Sequence, residues 1–333
     1  MQKICIIKLG ALGDVVRTLP ILIGIKEKYP DSEISWVTKK ESTEIVENSS
    51  YVKKIFSLSF KPFEKFDILY NIDIDDEATD LAMKINAEKK YGFYSENGFV
   101  LAFNIGAEYY LNTLFDDEIK KTNTKTYQEM MFMAAELPYK KQFLPINLSE
   151  EEEKYAKMFL EKNKINSEKL IGIHLGASPR WPSKVWHKDN LMEFIKKAKI
   201  KGYEIILFGG YNEAKELEKT KKYFSEFDII IHTNDPYNTS LQFASLVNKC
   251  KFMICSDSFS LHVSLALKKL TIGLFFCTSS KEVEGYGLLK KIESPILYNF
   301  FPERMNQYDE NLVKSIFAED VLNAIIEMDN TNK

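Results

Sequence analysis

The 333-residue sequence is poor in cysteine, and its few cysteines are not spaced as metal ligands. Cys5, Cys250, Cys255 and Cys277 all lie in or beside apolar segments. Free cysteines pack as small apolar side chains, whereas disulfides belong mainly to oxidising compartments. We therefore expect four reduced, buried thiols in a cytoplasmic protein.

The sequence also lacks an excess of positive charge and a long apolar run. Its formal net charge is −3, so no basic field indicates nucleic acid as a partner. No stretch reaches the roughly 18 uninterrupted apolar residues of a membrane span. Lys8, Asp14 and Arg17 interrupt the N-terminal apolar run, which does not suit a signal peptide. Any membrane contact is therefore expected to be peripheral.

Two common phosphate-binding motifs are missing as well. The turn from Gly10 to Gly13 follows a strand-length apolar run, but it lacks the third glycine of G-x-G-x-x-G. No Lys-Ser or Lys-Thr pair follows a glycine-rich loop, so a P-loop is absent. The missing fingerprint argues against a nicotinamide dehydrogenase.

The chain does contain two series of strand-length apolar runs that alternate with helix-length segments. Such alternation predicts parallel sheets with helices on both faces. The segment Pro138–Asn147, with two prolines, separates the two series, and the chain length also suggests two domains. We predict an α/β protein with domains at residues 1–140 and 149–333. The expected strands are Lys3–Leu9, Glu33–Val37, Lys53–Leu58, Asp67–Ile72, Lys169–Leu175, Glu204–Phe208, Asp228–Ile231, Phe252–Cys255 and Thr271–Phe276.

One segment of the first series has no clean period. Between Gly92 and Lys125 neither a strand nor a helix pattern dominates, so we expect loops that shape a second-substrate site. In contrast, Ser149 and Glu152 form the pattern of a capping box, which predicts the start of a helix that runs to about Asn163.

An acid, Asp14, directly follows the first glycine-containing turn and precedes a helix-like apolar run. Ligands of doubly wound sheets bind at the carboxyl ends of the strands, so a carboxylate there could act as a base. It could also be the N-cap of the helix, which is the more frequent role of an acid at such a position. Pro20 is expected to kink that helix or to end it early.

A second group of acids follows the fourth expected strand. Asp73, Asp75 and Asp76 resemble the D-x-D pair that holds a metal in some sugar transferases. Three acids after a strand are more often a solvated turn and the start of a helix. We therefore expect no metal site.

In the second series, four successive strands end in small or polar residues. A nucleotide site at the carboxyl edge of a sheet needs such residues, because the chain must approach the ligand and expose its amides. The four strand ends are Gly176-Ala177-Ser178, Gly209-Gly210, Ser256-Asp257-Ser258 and Cys277-Thr278-Ser279-Ser280.

Four motifs, taken in order, resemble those of glycosyltransferase family 9, whose best-known members are ADP-heptose:lipopolysaccharide heptosyltransferases. Lys8–Pro20 is similar to the family's opening L-G-D-x-x-x-T-L-P, and Gly176–Trp186 to its G-A and K-x-W segment. The others are Phe208–Glu213 and Asp257–His262, the latter followed by Glu284–Gly287, which resemble the later D-[ST]-G-x-x-H and G-Y-G motifs. Phe259 stands where the family usually has glycine, and Phe275–Thr278 stands where F-G-x-T is common.

The resemblance implies the GT-B fold, with two Rossmann-like domains that face each other across a cleft. It implies an inverting, metal-independent and cofactor-free transfer of heptose from ADP-heptose to a lipopolysaccharide-core acceptor. The partners would be a nucleotide-sugar and a glycolipid or other glycan, and any contact with the inner membrane surface would be peripheral. Two alternatives remain: another sugar or a protein acceptor, and a non-catalytic sugar-nucleotide-binding protein.

The resemblance also implies a role for individual residues. Asp14 would be the base, Lys184 would contact the diphosphate, and Glu213 would accept from ribose hydroxyls. The further donor-binding candidates are Ser178, Asp257, Ser258 and His262, with Gly13 and Arg180 as additional possibilities.

Each of these roles has a plain structural alternative. Lys184 could be a solvated loop lysine, Glu213 could complement a helix N-terminus, and His262 could be a hydrogen-bonded core histidine. Arg180 is a rival to Lys184 for the phosphate. His174, His187 and His232 lack partner spacing and receive no role.

Overall fold

The computed structural model describes residues 1–58 and 64–331, and its contacts cluster in two compact units. The first unit comprises Met1–Asn147 and Lys281–Glu284, and the second comprises Leu148–Ser280 and Gly285–Lys333. The division into domains at residues 1–140 and 149–333 stays a prediction. Positions 332 and 333 of the second range lie outside the described residues.

The first unit contains one six-stranded sheet in the order β3-β2-β1-β4-β5-β6. All its neighbouring strands run parallel except β6, which is antiparallel to β5. Its strands are β1 (Lys3–Ile7), β2 (Glu33–Val37), β3 (Val52–Phe56), β4 (Phe66–Asn71), β5 (Ala87–Glu96) and β6 (Phe99–Ala102). Its helices are α1 (Leu12–Thr18), α2 (Ile21–Lys28), α3 (Thr43–Glu47), α4 (Asp76–Lys84), α5 (Ile105–Phe115), α6 (Asp117–Thr122) and α7 (Tyr127–Ala134).

The second unit contains a parallel six-stranded sheet in the order β12-β11-β10-β7-β8-β9. Its strands are β7 (Leu170–His174), β8 (Glu204–Phe208), β9 (His232–Thr233), β10 (Phe252–Ser256), β11 (Leu270–Phe275) and β12 (Leu289–Glu293). Its helices are α8 (Glu150–Asn163), α9 (Lys188–Ile200), α10 (Ala214–Ser225), α11 (Ser240–Lys249), α12 (Phe259–Ala266), α13 (Glu310–Lys314) and α14 (Ala318–Thr331).

Both sheets have the doubly wound strand order of Rossmann-like folds, which confirms the predicted α/β class. In each sheet the chain order reverses once, between β1 and β4 in the first and between β7 and β10 in the second. Ligands of such sheets bind outside the carboxyl ends of the strands at these switch points. The turns that follow β1, β4, β7 and β10 are therefore where the functional residues should be sought.

Local sequence signals account for most element ends. Ser149 and Glu152 form the predicted capping box at the start of α8. α1 ends at Thr18, and α2 begins directly after Pro20, because proline cannot continue the hydrogen bonding of the first helix. Gly202, with φ of +80°, follows the end of α9 in a conformation that glycine adopts without strain.

Two expectations were wrong. The Gly92–Lys125 region is not a set of loops: it completes β5 and contains β6, α5 and α6. Asn97 and Gly98 both have positive φ and form the turn between the two antiparallel strands. The strand expected at Asp228–Ile231 lies instead at His232–Thr233, because Asp228 has a left-handed conformation in the turn after α10.

The cores are formed by the apolar strands and the helix faces that cover them. β1 is fully buried after its first residue, as expected for a central parallel strand. All four cysteines are free and buried, as the sequence predicts. Among residues 1–58 and 64–331, no helix is long and apolar enough to cross a membrane.

Candidate functional site

A buried carboxylate from the β4 end fixes the turn after β1. Asp73 is 3% exposed, and its Oδ2 accepts hydrogen bonds from the backbone amides of Leu9 and Gly10, each at 2.8 Å. Burial would raise the pKa of Asp73, but the charge of Lys8 and the backbone amides lower it below its ordinary value. Asp73 is therefore an ionised clamp, and the solvated-turn interpretation is wrong for this residue.

The neighbouring acids do form a helix start. Asp75 is the N-cap residue of α4, and Asp76 is its first residue. Across the described ranges, 1–58 and 64–331, no three His, Cys, Asp or Glu side chains converge as a potential metal site.

Lys8 carries a buried positive charge beneath the same turn. Its Nζ lies 3.3 Å from Asp73 Oδ2, and a Cβ added at Gly10 would lie only 3.1 Å from that nitrogen. Burial would lower the pKa of Lys8, but Tyr127, Asp73 and Asp14 together raise it well above its ordinary value. The first switch point therefore carries a buried cation close to the backbone. Glycine at position 10 permits this close approach because it has no side chain.

Asp14 is not the N-cap of α1. The N-cap residue is Ala11, and the amide of Asp14 donates to the Ala11 carbonyl at 2.8 Å. Asp14 lies in the first turn of the helix, where a negative charge is favoured, and its side chain is 35% exposed. Its Oδ1 lies 2.7 Å from Arg17 Nη2. Gly13, the residue before it, is buried.

The second switch point brings together three predicted donor-binding residues that are far apart in the chain. Lys184 Nζ donates to the backbone carbonyl and to Oδ2 of Asp257, both at 2.8 Å. His262 Nε2 lies 3.7 Å from Asp257 Oδ1. The Lys184 side chain is only 12% exposed, so it is not a solvated loop lysine.

The other predicted residues lie on the turns around this cluster. Ser258 is the N-cap residue of α12, and its Oγ lies 2.9 Å from Ser260 Oγ. Ser178 follows β7 and accepts a hydrogen bond from the amide of Arg180. The Arg180 guanidinium lies 4.8 Å from the ring centroid of Trp181, so Arg180 stacks on an aromatic ring in this turn.

A cavity of about 410 Å³ lies beside this cluster, at the carboxyl edge of the second sheet. Glu213 lines it and also accepts from the amide of Gly210 at 2.9 Å, so the helix-start interpretation of Glu213 has support as well. Gly176 has no side chain, so Glu213 and His174 can pack close to its backbone. A Cβ at this position would lie 3.0 Å from Glu213 Cδ and from His174 Cε1. The walls are formed by strand ends, the loop that contains Val185 and residues of α9, α10 and α13.

Sequence reasoning missed several residues of this cavity. His174, Trp186, His187 and Tyr308 line it, although the histidines received no role from spacing. The pKa of His174 is lowered to about 4 by burial, against an opposing effect of the Gly176 backbone, so its imidazole is neutral at physiological pH. Its position at the end of β7, directly before a small-residue turn, is the signal that could have identified it.

The buried thiol of Cys277, which lies in this region, is not a nucleophile at neutral pH. Cys277 follows β11, and burial raises its pKa to about 11, with Lys184 acting in the opposite direction. The thiol is therefore protonated at neutral pH and packs as an apolar group.

Comparison with known proteins identifies the family to which this chain belongs. A sequence model described as glycosyltransferase family 9 (heptosyltransferase) matches residues 64–307, which is more than half of the chain. The chain belongs to glycosyltransferase family 9. The resemblance drawn from the four motifs is thereby confirmed, and the protein is a glycosyltransferase.

Individual family 9 proteins are similar over nearly the whole chain. Lipopolysaccharide heptosyltransferase 1 of Campylobacter coli is 26% identical over 84% of this chain and 85% of its own length. A solved family 9 glycosyl transferase from Veillonella parvula has a TM-score of 0.77 at 18% identity, covering 98% of this chain and 97% of its own. The ADP-heptose lipopolysaccharide heptosyltransferase II of E. coli has a TM-score of 0.72 at 18% identity, with 98% of each chain covered. These two structures share the fold of this protein.

Proposed function

We propose that this family 9 enzyme transfers heptose from ADP-heptose to a lipopolysaccharide-core acceptor with inversion at the anomeric carbon. The family supports transfer of heptose, and the names of the Campylobacter and E. coli proteins supply the lipopolysaccharide and ADP-heptose. Contact with the membrane surface that holds such an acceptor would be peripheral.

The proposed donor site rests on one observation, the Lys184–Asp257 pair beside the cavity. The cavity volume of about 410 Å³ falls in the range of small-ligand sites, which is roughly 300–1,000 Å³. In this proposal the nucleoside occupies the cavity and Glu213 accepts from the ribose hydroxyls. The diphosphate lies beside Val185, a cavity residue next to Lys184 in the chain, and the ammonium group of Lys184 neutralises it.

The remaining donor-binding residues are proposed from their places around Lys184. Asp257 holds the ammonium group and accepts from a sugar hydroxyl, while the amides after Ser258 face the diphosphate at the start of α12. His262 supports Asp257 from inside the pocket. Ser178 and Arg180 border the site on the turn after β7, with Arg180 as a second phosphate contact.

Asp14 is the proposed general base. Its carboxylate takes the proton of the acceptor hydroxyl while that oxygen forms a bond to the anomeric carbon of the sugar. The bond from the anomeric carbon to the diphosphate oxygen breaks on the opposite face, and the electron pair leaves with ADP. Because the diphosphate is a good leaving group, the positive charge of Lys184 replaces the general acid that a glycosidase needs.

A transfer assay tests the whole proposal. Purified enzyme is incubated with ADP-heptose and a heptose-free core acceptor, with and without a chelator, and the product is measured by mass spectrometry. We expect product in both samples, together with binding of ADP in a thermal-shift screen of ADP-, GDP- and UDP-sugars. A shift with UDP- or GDP-sugars alone would point to another donor, and binding without any transfer would indicate a non-catalytic sugar-nucleotide-binding protein.

The Asp14→Asn variant tests the base. The amide side chain cannot accept the proton, so we expect kcat to fall by about 10²–10⁴-fold. ADP affinity should not change, because the proposed donor residues all belong to the second unit. Initial rates and calorimetry with ADP would be measured on both proteins. Near-normal turnover of the variant would remove Asp14 from the mechanism.

A further inference from the structure

We infer that Arg17 is a positioning residue for Asp14: a guanidinium clamp, itself held on the face of Tyr127, that orients the carboxylate. This inference rests on the proposed base role of Asp14. The four family motifs assign no role to Arg17 or Tyr127, and neither residue lies in the donor cavity.

Arg17 reaches Asp14 from one turn further along the same helix. Residues three apart on an α-helix share a face, and here Arg17 Nη2 lies 2.7 Å from Asp14 Oδ1. The arginine side chain is 16% exposed and the carboxylate is 35% exposed. The pair is therefore partly shielded, and Asp14 retains an exposed portion at which an acceptor hydroxyl could arrive.

Tyr127 fixes the guanidinium from the opposite side. The Arg17 guanidinium carbon lies 3.7 Å from the centroid of the Tyr127 ring, a close cation–π stack. Tyr127 is 2% exposed, and its hydroxyl lies 3.4 Å from Thr18 Oγ. The ring of Tyr110 packs edge-on against it, with 5.9 Å between centroids. A guanidinium stacked on a buried ring has little freedom to move away from the carboxylate.

Charged and titratable groups near Asp14 come from four elements. Arg17 lies on α1, Lys8 at the end of β1, Tyr110 on α5 and Tyr127 on α7. Lys8 also interacts with Asp14 electrostatically, but its Nζ contacts Asp73 at 3.3 Å. Arg17 contacts the base directly. An opposite charge within about 4–6 Å favours the charged form of a carboxyl group.

The test compares Arg17→Gln with Arg17→Lys in the transfer reaction across the pH range. For Arg17→Gln we expect the acidic limb of kcat/KM to move to higher pH, because the carboxylate loses its cation. We also expect kcat at neutral pH to fall about tenfold through lost orientation, while KM for the donor is unchanged. Arg17→Lys keeps the charge but loses the planar stack, so its acidic limb should stay near that of the wild type while kcat falls.

A second pair of variants tests the support from Tyr127. Tyr127→Leu removes the aromatic face, so it should lower kcat more than Tyr127→Phe, which retains the face. Lys157→Gln is a matched control, since Lys157 forms an exposed i,i+4 pair with Glu161 on α8, and it should leave the pH profile unchanged. If Arg17→Gln does not fold, the Arg17→Lys and Tyr127 variants still give the kcat comparison.

The possible failures can be told apart. Loss of turnover in Asp14→Asn together with a wild-type acidic limb and kcat in Arg17→Gln would overturn the role of Arg17 and leave the proposed function intact. Full turnover in Asp14→Asn would overturn the base itself, and the Arg17 inference with it.

Discussion

Replacing Lys184 by methionine should weaken ADP binding and destabilise the fold through two separate effects. Methionine keeps the unbranched side-chain length but removes the ammonium group. In the protein, that group donates to the carbonyl and to Oδ2 of Asp257, both at 2.8 Å. In the proposed complex, the same group faces the diphosphate.

The expected magnitudes follow from burial. The two side chains are 12% and 16% exposed, so the pair is screened far less than a surface salt bridge. A hydrogen bond to a charged group contributes about 1.5–3 kcal/mol, so ADP affinity should fall by about one to two decades. A carboxylate left without its cation should lower the free energy of unfolding by about 2 kcal/mol, on the scale of a buried group that loses its partner. For a unit of this size, that corresponds to a fall in Tm of about 4–8 °C.

Isothermal calorimetry with ADP and thermal unfolding would measure the two effects on the same samples. The double variant Lys184→Met with Asp257→Asn provides the control, because it also removes the carboxylate charge. We expect the double variant to recover part of the lost Tm but none of the lost ADP affinity.

Unchanged ADP affinity in Lys184→Met would refute the reasoning for the donor site. The phosphate role would then pass to Arg180 or to the amides at the start of α12. An unchanged Tm would instead show that Asp257 finds another partner when Lys184 is removed.

Two further predictions concern pH and packing. Burial holds the pKa of His174 at about 4, below the ordinary value of 6.5, so between these values the unfolded chain binds a proton that the folded chain does not. The free energy of unfolding should therefore decrease as the pH falls from 6.5 to 4, and urea titrations should show a smaller decrease for His174→Asn. Gly172→Ala places a Cβ 2.4 Å from Met253 Sδ and 2.7 Å from Phe208, so thermal unfolding should show a loss of about 1–3 kcal/mol; an unchanged Tm would contradict this.

The sequence predicted those elements whose ends carry their own chemical signal. Ser149 and Glu152 cap α8, Pro20 separates α1 from α2, and uniformly apolar runs form the central parallel strands. The hairpin of β5 and β6 was missed although Asn97-Gly98, a strong hairpin-turn signal, lies between the strands. β9 is only two residues long, so no apolar run was available to locate it.

The site was predictable only through the family motifs, since spacing alone does not indicate which distant residues meet. Lys184 and Asp257 are 73 positions apart, and only the parallel pairing of β7 with β10 brings them to one edge of the sheet. The burial of individual polar side chains could not be predicted from the sequence either. Asp73 belongs to a run of acids that resembles a solvated turn, yet it is enclosed because its oxygens meet two backbone amides and Lys8.

Because of the Asp73 clamp, the motif Lys8–Pro20 would not keep its structure if it were transferred alone to another protein. The turn that precedes Asp14 takes its shape from a carboxylate located about sixty residues later, just beyond the end of the strand that pairs with β1. The turn can therefore reach its final shape only after β1 and β4 have paired. A graft of Lys8–Pro20 onto another parallel sheet would need an acid at the end of the adjacent strand. Without that acid, the grafted amides of Leu9 and Gly10 would lose their acceptor, and the grafted Lys8 would lose the carboxylate that contacts its ammonium group.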